Sequence, residues 1–66
     1  MSIARVTELS AASSKGFEDA IEKAIKRANE TLDNVEGAWV QDMKVVCKNG
    51  KIDEYRVNLK VTFVLR

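Results

Sequence analysis

The sequence predicts an α+β fold in the order β-α-β-β, a three-stranded antiparallel sheet partly wrapped around one helix. Three observations lead there. Apolar residues recur at helical spacing from Phe17 to Leu32, the period changes to two after Gly37, and Asn49-Gly50 divides that second region into a hairpin. Residues 1–66 read as one domain, because no linker, repeat, low-complexity tract or proline interrupts them.

Residues 2–9, "SIARVTEL", are partly β-branched and read as a first strand. "SAASSKG" breaks the pattern, with Ser13 or Ser14 as the expected helix N-cap; neither has a glutamate three places on, so the full capping box is absent. The helix follows from Phe17, Ala20, Ile21, Ala24, Ile25, Ala28 and Leu32, which fall on one stripe. Charged residues fill its other faces, and Glu22 and Lys26 form a favourable i,i+4 pair. Because the stripe is rich in alanine, a sheet can approach it closely.

Beyond "NVEG", Ala38 and Val40 share one parity while Met43, Val45 and Cys47 share the other. A β-bulge near Gln41–Asp42 would return both sets to one face. The last strand alternates Tyr55, Val57, Leu59, Val61, Phe63 and Leu65 against Arg56, Asn58, Lys60, Thr62, Val64 and Arg66. It is expected to pair with the second strand through the hairpin and with the first strand on its other side.

Composition narrows the function. With 45% hydrophobic and 32% charged residues, the chain has the balance of a soluble globular protein. A net charge of +1 offers nothing to hold nucleic acid by bulk charge. No apolar run is long enough to span a bilayer, and the N-terminus lacks the features of a signal peptide. A single cysteine, Cys47, cannot build an internal disulfide framework, so the expected location is the cytoplasm. There is no histidine, which removes the commonest general base and the commonest transition-metal ligand. So short a chain, with no internal disulfide, has a marginal core of its own, and self-association is the expected supplement.

Nothing marks a catalytic centre, and the expectation is a non-enzymatic protein. Asp42, Asp53 and Glu54 read as solvated carboxylates; they are weak candidates for a calcium site shared between subunits, since a hard cation needs only oxygen ligands. Cys47, among apolar strand residues, reads as a small buried hydrophobe. "GKIDEYR" lacks phosphate-loop spacing. Trp39 is the candidate binding residue. By parity it leaves the helix-facing side, with Gly37 and Gln41 to either side, where an indole meets another chain or a flat ligand. Subunit packing is the preferred reading of the two.

The helix ending "RANETLDNV" followed at this spacing by "YRVNLKVTFVL" resembles the dodecins, small proteins that assemble as hollow homododecamers and typically bind flavins. The likeness covers nearly the whole chain. It implies a dodecin-like shell that binds or stores a small molecule, with riboflavin or FMN as the family's usual ligand. In flavin-binding dodecins a tryptophan shortly after the Asn-aliphatic pair stacks on the ring, and that position falls on Gly37 here. The glutamine after the tyrosine, which contacts the ring's polar edge, falls on Arg56. The resemblance therefore implies a degenerate flavin site at Gly37 and Arg56. A glycine offers no stacking surface, and a guanidinium offers only donors where a glutamine offers both donor and acceptor. Trp39, two residues along the same strand face, would either displace the stacking platform or fill the pocket; filling is preferred.

Overall fold

The long apolar alternation of residues 55–65 predicts a strand at the centre of the sheet, and it lies there. In a computed structural model, which describes residues 3–32 and 34–65, the chain runs β1 (Ile3–Ser13), α1 (Phe17–Thr31), β2 (Val35–Lys48) and β3 (Lys51–Leu65). The strands are ordered β1-β3-β2, and both pairings are antiparallel. Ser2 and Arg66, read from the sequence as strand residues, lie outside the described residues.

The core is small. Val57, Leu59 and Val61 of β3 meet Ala20, Ala24 and Ala28 of α1, and these are the buried apolar residues; Leu9, Ala11, Phe17, Ile21, Ile25, Leu32, Val35 and Val40 pack around them. Each methyl-sized side chain on the helix lets a larger one on β3 fill the space opposite, so the layers interdigitate. At one end Phe17 meets Tyr55 edge to face, 5.1 Å between centroids and 78° between planes.

Two features at the start of α1 differ from the sequence reading. β1 runs on to Ser13, because Ser10, Ala11, Ala12 and Ser13 pair with Asn58, Val57, Arg56 and Tyr55; a ready partner strand outweighs the weak strand preference of serine and alanine. The serines accordingly do not cap the helix. Gly16 takes the N-cap position without a side-chain cap, and its carbonyl accepts the Ala20 N–H at 3.1 Å. Ser13 instead ties the strand to the first helical turn: its buried hydroxyl donates to Asp19 Oδ2 at 2.5 Å and accepts the Lys15 N–H at 2.9 Å. That hydroxyl bond, and then Lys23, hold the Asp19 carboxyl below its ordinary range.

The turns behave as their residues suggest. Asn34 adopts φ 55°, a left-handed conformation that asparagine tolerates, and its carbonyl accepts the Val64 N–H at 3.1 Å. Asn49 and Gly50, at φ 54° and 76°, supply the two positive values that a type I′ hairpin turn needs.

The expected bulge is present. Register shifts between Val40 and Asp42, so Gln41 is the extra residue, and Ala38, Val40, Met43 and Val45 all stand opposite the helix-facing residues of β3. Further shifts fall between Val35 and Gly37 and between Val46 and Cys47. Sharing that face does not bury β2. A 15-residue helix spans roughly 22 Å, whereas a 15-residue strand spans about 50 Å, so α1 covers only part of the sheet, and it leans over β1 and β3 rather than β2. Met43 and Val45 are therefore exposed, and so is Cys47, near the hairpin tip; its expected burial is not met. Among the described residues, no helix is long and apolar enough to cross a membrane.

Candidate functional site

The face of the sheet turned away from α1 carries Gly37, Trp39, Asp42, Glu54 and Arg56 among the sequence-predicted site residues, and strand register arranges them in rows. Val6, Thr62 and Gly37 form one row, and Glu8, Lys60 and Trp39 the next. Ser10, Asn58 and Asp42 follow, and then Ala12, Arg56 and Lys44. Glu54 and Val46 continue the pattern toward the hairpin.

The third row is a hydrogen-bonded chain across all three strands. Ser10 Oγ–H donates to Asn58 Oδ1 at 2.7 Å, and Asn58 Nδ2–H donates to Asp42 Oδ1 at 2.7 Å. Held from both sides, the Asn58 amide has its orientation set by its partners. A shallow depression of about 290 Å³ opens here, lined by Ser10, Ala12, Asp42, Lys44, Arg56 and Asn58. Lys44 and Arg56 stand directly opposite each other, an unfavourable cross-strand pairing of like charges. Glu54 relieves it. Its Oε1 accepts Arg56 Nε–H at 3.1 Å and Nη2–H at 2.8 Å, so the carboxylate that Arg56 calls for comes from its own strand.

Trp39 is 66% exposed. Lys60, its cross-strand partner, places Nζ 5.7 Å from the ring centroid, within cation–π range. On the adjoining row nothing stands where the Gly37 side chain would be: a Cβ built there meets no atom within 4 Å. The open face thus offers an aromatic platform, a vacant strip beside it and a polar depression below it. This is an apparatus for stacking and hydrogen bonding.

Geometry separates residues that the sequence grouped. Trp39 and Gly37 share a strand and a face, but Arg56 lies four residues along β3 from the partner of Trp39, about 13 Å at strand rise. One chain therefore does not close a clamp from Gly37 or Trp39 to Arg56, and the residues present do not fit the flavin clamp at those two positions. Gln41, the bulge residue, is exposed. Asp42, Asp53 and Glu54 stay apart: Asp42 belongs to the Asn58 chain, Asp53 sits at the hairpin-end irregularity, and Glu54 is committed to Arg56. Among the described residues, no group of three metal-binding side chains forms.

Sequence reasoning missed Lys60 as the neighbour of Trp39, Glu54 as the partner of Arg56, and the Ser10–Asn58–Asp42 chain. Parity, corrected for the bulge at Gln41, places all of them on one face. Only the register, which depends on where the bulges fall, says which ones touch.

A family model, dodecin, matches residues 3–66. Among solved structures, dodecin from Streptomyces davaonensis is 32% identical, with a TM-score of 0.94, covering 98% of this chain and 96% of that one. Dodecin from Streptomyces coelicolor is 29% identical, with a TM-score of 0.93 and coverage of 98% and 93%. The calcium-chelating immunodominant antigen calcium dodecin from Mycobacterium tuberculosis is 29% identical, with a TM-score of 0.84 and coverage of 97% and 91%. No curated protein sequence matches the chain.

Proposed function

The chain belongs to the dodecin family, and from that premise we propose that it is the subunit of a homododecameric, non-enzymatic shell that binds or stores a small molecule on the open sheet face. The flavin site of that shell is degenerate, because Gly37 presents no ring and the Arg56 guanidinium is already held by Glu54. One observation carries this reading. Among the described residues, six small-to-medium side chains make up the buried apolar core, while Ile3, Val6, Trp39, Met43, Val45, Ile52 and Leu65 are large and exposed. Apolar surface in that proportion is characteristic of a protomer that completes its burial against copies of itself. The test is an absorption spectrum of the purified assembly followed by titration of riboflavin and FMN. No flavin absorbance and no fluorescence quenching at micromolar protein is expected; tight quenching by either would overturn the degenerate site.

That last outcome would instead support a functional flavin store. The exposed indole of Trp39 favours this second reading, with Arg56 of another copy reaching the ligand, since its own Arg56 is too far along the strand. A calcium-stabilised assembly is a third reading. It is supported by the likeness to calcium dodecin and by Asp42, whose Oδ1 alone accepts a bond. Treatment with a chelator should then lower the melting temperature, and an unmoved midpoint removes calcium.

A further inference from the structure

Trp39 and Lys60 occupy one row of the open face, and the ammonium lies over the indole. Glu8 stands on the other side of Lys60 in the same row. Yet the ion pairs among the described residues join Lys23 to Asp19, Arg27 to Glu30 and Arg56 to Glu54, and none includes Lys60. The Lys60 charge is thus set against a π-face and, among the described residues, has no carboxylate in ion-pair contact. Beside the ring, the space over Gly37 is open, with no atom within 4 Å of a Cβ built there.

We propose that Lys60 is the specificity-determining residue of this face: the site takes flat aromatic molecules that carry a negative charge on or beside the ring, and discriminates against their neutral counterparts. The inference rests on the reading that the open face binds a small molecule, and it deepens that reading by naming the class. An aromatic that stacks on Trp39 lies next to an ammonium whose partner, among the described residues, is the weakly attracting indole. A neutral ring returns at most a weak cation–π contact while partly desolvating that charge. An anionic ring supplies the missing counter-charge at the same contact distance. Neutral flavin rings fall on the unfavoured side, in keeping with a degenerate flavin site.

The test uses the full-length assembly and two probes of equal shape, anthraquinone-2-carboxylate and anthraquinone-2-carboxamide. Trp39 is the only tryptophan, so quenching of its emission reports binding at this face. The carboxylate should bind about fivefold tighter or better at low salt, and the gap should narrow as salt rises. Lys60→Met keeps the aliphatic stem against the indole and removes the charge; it should bring both probes to the affinity of the carboxamide, while Lys60→Arg keeps the preference. Lys60→Gln serves should the methionine variant fail to assemble, with mass measured in each case. Equal affinities in the parent, or a preference that survives loss of the Lys60 charge, overturn the proposal while leaving a binding face in place. If neither probe quenches Trp39, the small-molecule face itself is refuted, and the proposal with it.

Discussion

At the residue scale, two positions decide what the open face recognises. Gly37 leaves unfilled space on the exposed side of β2, so a ring can be grafted there without displacing anything within the chain. The double variant Gly37→Trp with Arg56→Gln restores a stacking surface and a side chain that both donates and accepts. It should bind riboflavin roughly tenfold tighter or more than the parent, measured by quenching of the flavin's fluorescence. Asp19 is the other informative residue. Its folded pKa lies below the ordinary value of 3.8, so its contribution to stability is present above that value and is lost as pH falls through the folded pKa. Thermal melts should therefore lose stability on acidification below pH 4, and Ser13→Ala, which removes the largest cause of the shift, should diminish that acid-side loss. Gly37 and Arg56 were legible in the sequence as the changed positions, but the Ser13–Asp19 bond was not. Ser13 looked like a cap because serine before a helix usually is one, and only the extended pairing of β1 turned its hydroxyl toward Asp19.

At the element scale, the helix and the two hairpin strands were legible because their signals are local. Seven apolar residues at helical spacing identify α1, and Asn49-Gly50 determines where β2 ends. Gly50 sits at φ 76°, so Gly50→Ala should destabilise the protein by about 1 kcal/mol in chemical denaturation. The bulge was legible from parity, since Val40 and Met43 can share a face only if one residue between them goes uncounted. Deleting Gln41 should reverse the facing of one half of β2, exposing Val40 or burying Lys44. Loss of soluble assembly in size-exclusion chromatography is the expected readout. The end of β1 was not legible, because "SAAS" has no strand preference of its own and takes its conformation from β3. Cys47 misled for a related reason. Its parity was right, but at the far end of a long hairpin the helix-facing side has no helix to face.

At the scale of the whole molecule, size and shape together are the physical reason for proposing self-association. It is 51 Å long and 13 Å in its shortest dimension, so most of the sheet has protein on one side at most. The core is correspondingly sensitive: Leu59→Ala, which removes its largest fully buried side chain, should cost about 2–5 kcal/mol and dissociate or unfold the assembly at moderate denaturant. Fold class and the exposed position of Trp39 could be read from the sequence because both follow from periodicity. The Lys60 contact and the separation of Arg56 from Trp39 could not, because they depend on register across strands distant in sequence. The family likeness agrees with this physical account: a small sheet wrapped on one helix, with apolar surface left over.

Multi-angle light scattering of the purified protein at neutral pH tests that account most directly. A single species at the dodecamer mass is predicted, many times the 7.4 kDa of one chain. A stable, folded species at the mass of one chain would contradict it.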